Sequence, residues 1–291
     1  MGRLGDWFSR CRSGSPLWLG LGDRLGDADD EVGELDEFEI ISAVDDAKIT
    51  EFAIADHDTI EGSKRVYNIL KTSKLNFKFH TSVELTCRIN EYLNGINVHL
   101  LAQDFDYKNP VLLEFIEEIS ALRYKKIQVM VDYIEDAYNV KIPKDLLEEK
   151  IKSTNSFGKP HLYSIMQTLG NFDREKYYRT MDNLNTAHLK LDAKKVITTL
   201  KDCKVVLAHP YEIMDEYNFN INDIENLIAY LKSLGLHGVE THHNSQTKQL
   251  QEQLSEIAKK YNLYESYGSD FHGENVKPGL KIGQIVKIEK E

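Results

Sequence analysis

The chain has 291 residues, enough for one large domain or a domain with a sizeable insertion, and 47 acidic against 36 basic side chains give a formal net charge of −11. That balance excludes a general binder of duplex nucleic acid, whose basic surface would dominate the count. Three scattered cysteines, Cys11, Cys87 and Cys203, exclude a disulfide framework and a cysteine-rich zinc site and fit a reducing cytoplasm; no apolar run approaches the ~20 residues that span a bilayer.

Residues 1–33 have a texture of their own. They hold both tryptophans of the chain, Trp7 and Trp18, and seven of its 17 glycines. Glycine or charge interrupts every helical or strand period within a few positions, so a disordered or foreign segment is expected here. From Glu34 onward, short runs rich in Val, Ile and Phe alternate with segments of helical period, as in an α/β domain. Residues 38–47 read as a helix with Phe38, Ile41 and Val44 facing inward. Residues 52–55 read as a buried strand, 62–70 as a helix, and 75–79 and 96–101 as further strands. The stretch 112–200 is long, charged and helical, with i, i+3, i+4 apolar spacing in LLEFIEEISALRYKKIQVMVDYIEDAY and KVITTL. Strands return at 204–208, 238–240 and 264–267, with an amphipathic helix between each pair. The reading is a barrel-like βα array, 34–111 and 201–291, carrying a helical insertion over 112–200.

Ten histidines are present and none precedes His57. Several fall just after a short apolar strand: FAIA leads to Asp56-His57, KVVLA to His209, and YESY to Gly268-Ser269-Asp270-Phe271-His272, while Glu84 closes FKFHTSVE. In a parallel βα barrel the C-terminal strand ends converge on one face, so these side chains would meet there. Imidazole and carboxylate without thiolate suit Zn, Mn or Fe, and paired ions can polarise a phosphoryl group. The cations set the local field, so a net charge of −11 is no bar to a phosphate substrate. Each residue has a plainer role open to it. A single His after a strand is commonly a hydrogen-bonded structural residue, Asp56 and Asp58 could cap a helix near Thr59, and Gly268-Ser269-Asp270 alone is a turn. Recurrence at four separate strand ends favours the metal site.

The motifs, taken together, resemble a known family. AIADHDTIEGSKRV (53–66) is similar to its TDHDT-x-x-G motif, with Ala55 in place of threonine, and TSVELTC (81–87) to its G-x-E segment. VHLLAQDFD (98–106), FGKPHLY (157–163), VVLAHP (205–210), GVETHHNSQT (238–247) and GSDFHG (268–273) follow in the family's order. From about Gly33 the chain resembles the polymerase-and-histidinol-phosphatase (PHP) superfamily of metal-dependent phosphoesterases. Within it, the resemblance is to the stand-alone branch of nucleoside 3′,5′-bisphosphate phosphatases and a 5′-to-3′ trimming ribonuclease. The resemblance implies a distorted (βα)7 barrel with a helical insertion and up to three divalent ions (Mn, Zn or Fe). His57, Glu84, His99, His209, Asp270 and His272 would be the ligands, Glu84 bridging, and a metal-held hydroxide would attack phosphorus. Lys159 stands where the family has a phosphate-binding arginine; it keeps the charge but loses the bidentate fork. His161 and His243 would contact the phosphate or protonate the leaving oxygen. His242 is expected to point away, and His80, His188 and His237 to be ordinary surface or rim residues. The implied substrate is a small phosphate ester, a nucleotide or a short oligonucleotide, with no duplex and no membrane; oligomeric state is left open.

One departure stands out. The family opens on a strand bearing His-x-His, followed five residues later by Asp-Gly. Counting back from Gly33, the histidine positions hold Leu25 and Asp27 and the aspartate position holds Val32. Leucine and valine cannot bind a cation, so the first strand is expected to be missing or replaced, with fewer ions bound and activity impaired. Two histories fit: a foreign segment before Gly33, or a natural degenerate barrel that binds phosphorylated ligands without turnover. Histidinol-phosphate phosphatase is the alternative enzyme.

Overall fold

The computed structural model describes residues 17–19, 37–153, 157–269 and 282–283. Its strands are β1 (Leu17–Leu19), β2 (Glu51–Ile54), β3 (Lys78–Ile89), β4 (Ile96–Gln103), β5 (Leu191–Asp192), β6 (Lys204–Leu207), β7 (Gly238–His243) and β8 (Tyr264–Gly268). Its helices are α1 (Glu37–Asp46), α2 (Glu61–Thr72), α3 (Pro110–Tyr138), α4 (Lys144–Ser153), α5 (Lys159–Leu169), α6 (Arg174–Asp182), α7 (Ala193–Thr199), α8 (Pro210–Tyr217), α9 (Ile221–Leu234) and α10 (Lys248–Lys260). Among the described residues no helix is long and apolar enough to cross a membrane.

The strand pairings close on themselves. β2 pairs with both β1 and β3, and the circuit continues through β4, β6, β7 and β8 back to β1, with β5 added at the side of β3. Seven strands therefore form the ring, and β4 runs antiparallel to both neighbours, which distorts it from a regular parallel barrel. The expected distorted seven-stranded barrel is the fold observed. Among the described residues, the ring position between β2 and β8 is held by three residues, Leu-Trp-Leu. Leu17 lies opposite both Phe52 and Tyr267. This strand carries no histidine, and it pairs with β2 along all three residues and with β8 at Leu17 and Trp18, so those edges are not open there.

Side-chain alternation along the strands explains the layers. Val83, Leu85, Cys87, Val98, Leu100, Val205 and Leu207 face outward into one apolar core with Val196, Leu227 and Leu231 of α7 and α9. The alternate positions, among them Ser82, Glu84, His99 and Leu101, face the lumen. There Ala55, Leu101, Val206, Ala208 and Tyr264 pack as a narrow plug of mostly small side chains. Helix α3 joins this body to a second core. Its 29 residues span about 44 Å. Leu112, Phe115 and Ile119 belong to the barrel core, whereas Ile127, Met130, Val131 and Ile134 pack with Leu162, Ile165, Met166, Tyr177 and Met181. Asn109 starts the helix by accepting from the Val111 and Leu112 amides, Pro110 follows at its first position, and Asn139 stops it in a left-handed conformation (φ 49°).

Three local expectations need correction. β3 is not the short strand 75–79: Leu75 is exposed outside it, and the strand runs on through Ser82, Glu84 and Thr86. β7 likewise continues past Glu240 to His243. In α1 the buried residues are Ile40, Ile41 and Val44, while Phe38 is 67% exposed.

The mouth of the barrel at the strand starts is tied by charge. His80 shares Nδ1 with Asp104 (2.5 Å) and Nε2 with Glu51 (2.9 Å), while Lys204 reaches Asp104 and Lys78 reaches Glu51, both at 2.7 Å. The Asp104 hydrogen bond, opposed by burial and helped by Glu51, raises the His80 pKa. His80 is therefore not an ordinary rim residue: it links β2, β3 and the turn after β4.

Candidate metal centre

At the other mouth, the loop after β2 returns against β3. Asp58 N–H donates to the Glu84 carbonyl (2.8 Å) and Glu84 N–H to the Asp56 carbonyl (3.0 Å), and His57 sits beside Glu84 in parallel register. The turn needs Gly62, since a Cβ there would stand 2.1 Å from Asp56 Oδ2. Asp58 does not cap α2. Its Oδ1 accepts from Thr86 N–H (2.6 Å), and Oδ2 lies 3.2 Å from the Arg123 guanidinium.

Four of the expected ligands come together here. Glu84 Oε1, projecting from mid-β3, is 2.8 Å from His99 Nδ1, 2.9 Å from His209 Nε2 and 3.7 Å from His57 Nδ1. His99 Nδ1 and His209 Nε2 are 3.2 Å apart. The rings of His57, His99, His209 and His243 follow one another with centroids 5.1, 5.0 and 5.8 Å apart. Asp270 and His272 lie outside the described residues.

The electrostatics are those of a site built around positive charge. Burial alone would raise the Glu84 pKa, yet His57, His209 and His99 hold it well below the usual carboxylate range. Burial opposes protonation of His209, but Glu84, Glu212 and Glu240 push its pKa up to about 10. A divalent cation fits these donors on chemical grounds: imidazole nitrogens and a buried carboxylate oxygen converge with no thiolate.

The remaining predicted residues stand around this cluster. His243 is buried; its Nδ1 is bonded to Ser245 Oγ and receives Ser245 N–H (3.3 Å). His161 is buried at the start of α5, where its Nδ1 accepts from Gly158 N–H (3.0 Å), and its ring centroid lies 5.7 Å from that of Phe157. Lys159 pairs with Asp182 (2.7 Å). His242 packs against Tyr267 with the rings tilted and their centroids 4.6 Å apart, and His237 accepts from Val205 N–H (3.1 Å).

Beside the cluster opens a cavity of about 250 Å³, lined by His57, His99, Phe157, Arg123, Lys126 and Lys190, among others. Its cationic wall was not foreseen from the sequence. Burial, then Arg123 and Lys159, lower the Lys126 pKa, and burial with Lys126 lowers that of Lys190. Crowded, partly desolvated cations of this kind attract anions strongly. The only available sign was the Arg-Tyr-Lys-Lys run inside the long helix. Glu212 and Glu240 were missed as well, although Glu212 follows His209 by three residues and Glu240 lies in the Gly-Val-Glu segment.

No protein-family model matches the chain. Two sequence relatives are a 5′-3′ exoribonuclease of Haemophilus influenzae and the 5′-3′ exoribonuclease Rnm of Escherichia coli. The first is 24% identical over 82% of this chain and 85% of its own length, the second 21% identical over 81% and 79%. Two solved structures share the fold with a TM-score of 0.67 and 19% identity each. One is an amidohydrolase from Chromobacterium violaceum with bound sulfate and no metal, matched over 92% of this chain and 90% of its own. The other is a candidate metal-dependent phosphoesterase from Bifidobacterium adolescentis, matched over 94% and 93%. The fold is the one shared with these two solved structures, and the names of the two sequence relatives agree with the branch that the motifs resemble.

Proposed function

We propose that this chain is a metal-dependent phosphoesterase that hydrolyses phosphomonoesters of nucleotides or short oligonucleotide ends. The observation that carries the reading is the convergence of Glu84, His99 and His209, with His57 beside them, at the edge of a cavity walled by Arg123, Lys126 and Lys190. The names of the exoribonuclease and phosphoesterase relatives support the substrate class.

In this reading His57, Glu84, His99, His209, Asp270 and His272 hold the divalent ions, Mn, Zn or Fe. Bound ions of this kind supply an acidified water and neutralise phosphoryl charge. The residues of the chain do the rest. Arg123, Lys126 and Lys190 bind a second phosphate or the oligonucleotide backbone, Lys159 binds a phosphate oxygen, and Phe157 offers a face to a base. His161 receives a backbone N–H at Nδ1, which favours the neutral tautomer with its proton on Nε2, and the same tautomer is assigned in this reading to His243, whose Nδ1 lies against the hydroxyl and N–H of Ser245. Both are thereby set as donors, His161 to a phosphate oxygen and His243 to the leaving oxygen.

One observation favours a second reading, a barrel that binds phosphorylated ligands without turnover. The strand in first position carries Leu-Trp-Leu and no imidazole, so the ion set is smaller and activity impaired. Phosphate release with added Mn²⁺ separates the two. Substrates are a nucleoside 3′,5′-bisphosphate, a short 5′-phosphorylated oligonucleotide, histidinol phosphate and an aryl phosphate. The first reading expects turnover of the nucleotide substrates, abolished by His209→Ala. The second expects calorimetric binding of the same nucleotides with no phosphate released. Absence of both turnover and binding overturns both.

A further inference from the structure

We propose that Glu240 and Glu212 are the positioning residues of His209, the first fixing its backbone and the second its ring, so that Nε2 faces Glu84 and His99. The inference rests on reading that cluster as a cation site. His209 is the N-cap of α8 with φ 22° and ψ 66°, a conformation that side-chain-bearing residues rarely adopt. Something must hold it there.

Glu240 does so from the neighbouring strand. Its Oε2 accepts the His209 N–H at 2.7 Å, and the residue is only 4% exposed. Its other oxygen lies against Gly268 of β8, where a Cβ would stand 1.9 Å away. The carboxylate is therefore seated between β6 and β8 with little freedom, and it sets where the histidine leaves its strand.

The ring needs a second constraint. Nε2 points at Glu84 Oε1 (2.9 Å) and His99 Nδ1 (3.2 Å). An imidazole that gives its Nε2 lone pair to a cation carries its proton on Nδ1, and a carboxylate there fixes the tautomer and raises ligand basicity. His209 Nδ1 is buried and out of line for a hydrogen bond, yet Glu212 Oε2 lies 3.1 Å away. The Glu212 side chain is 48% exposed, so it can turn into line without disturbing the core. The His-Pro-Tyr-Glu spacing supplies this carboxylate from the first turn of α8, one turn from the ring it serves.

The test is calorimetric titration of the full chain with Mn²⁺ for wild type, Glu212→Ala, Glu212→Gln, Glu240→Ala and Glu240→Gln. Thermal melting in chelator checks folding; Glu212 is a surface residue, so its variants carry the test if Glu240→Ala unfolds. Expected is an affinity roughly 10- to 100-fold weaker in Glu212→Ala and in Glu240→Ala, with the ion count at saturation unchanged. Each glutamine variant falls between wild type and alanine, because its amide oxygen still accepts the proton in question. Wild-type affinity in Glu212→Ala overturns the proposal. So does the loss of one ion per chain in both Glu212 variants, since that makes Glu212 a direct ligand. A wild-type chain that takes up no cation instead overturns the functional reading beneath it.

Discussion

Gly268→Ala tests how tightly the barrel holds Glu240. The added Cβ would stand 1.9 Å from Glu240 Oε1 and 2.9 Å from its Cδ, where real contacts of this kind do not fall below 3.0 Å. The carboxylate must then withdraw by roughly 1 Å. Its Oε2, now 2.7 Å from His209 N, moves beyond hydrogen-bond range. Overpacking costs about 1–3 kcal/mol, and a lost hydrogen bond to a charged acceptor about 1.5–3 kcal/mol. Together they give a destabilisation of about 4 kcal/mol, equivalent to a Tm lower by roughly 10 °C in a chain of this size. The assay is thermal unfolding in chelator, which removes stabilisation by bound cations. A double-mutant cycle isolates the cause: with Glu240→Ala already in place, Gly268→Ala should cost under about 1 kcal/mol. A melting temperature unchanged by Gly268→Ala, or an equal loss in both backgrounds, would refute the reasoning.

Other consequences follow from the cavity and from the opposite mouth. Lys126→Ala and Lys190→Ala should each raise KM for a nucleoside bisphosphate by roughly 10- to 100-fold, the equivalent of a charged hydrogen bond, with kcat changed little. A pure kcat defect in steady-state kinetics would remove these lysines from the substrate wall. Asp58→Ala should cost about 1–3 kcal/mol by orphaning the Thr86 N–H, and should raise KM by releasing Arg123. Denaturant melts and kinetics on the same sample check both. His80 has a raised pKa in the folded chain, so its contribution is complete below the unfolded value of about 6.5 and fades as pH rises through the folded value. Asp104 behaves oppositely: its pKa is lowered to about 2, and its contribution is lost as pH falls through that value. The difference between urea midpoints at about pH 6 and about pH 9 in chelator should be smaller in His80→Gln than in wild type, the remainder belonging to His209, whose raised pKa acts in the same direction. An identical pH response in the two proteins would exclude the His80 network as its source.

Much of the architecture could be read from the amino acids because the ring strands alternate with amphipathic helices. The strand expected at 52–55 is Glu51–Ile54, that at 204–208 is Lys204–Leu207, and that at 264–267 is Tyr264–Gly268. The failures share a cause. β3 carries His80, Ser82, Glu84 and Thr86 on its lumen side, and β7 ends in Thr241, His242 and His243; polar residues placed for a site erase the apolar signature of a strand. Phe38 misled for the opposite reason, since an aromatic residue at helical spacing need not be buried. At the site, the histidines and Glu84 were legible because strand ends gather them. Arg123 and Lys126 were not, since helical periodicity identifies the apolar stripe of α3 and says nothing about what its other face meets, and Lys190 stands just before the two-residue β5, which leaves no periodicity to read. Glu240 and Glu212 act on His209 across strands and around one helical turn, relations that only the folded chain displays.

Glu84, His99 and His209 are the residues on which a divalent ion must rest if this barrel is a metal centre. Anomalous diffraction at the manganese edge, from crystals of the full chain grown with Mn²⁺, addresses this directly. The predicted result is an anomalous peak bounded by Glu84 Oε1, His99 Nδ1 and His209 Nε2 that disappears in Glu84→Gln. Manganese bound elsewhere, or no anomalous peak beside these three atoms at saturating Mn²⁺, would contradict it.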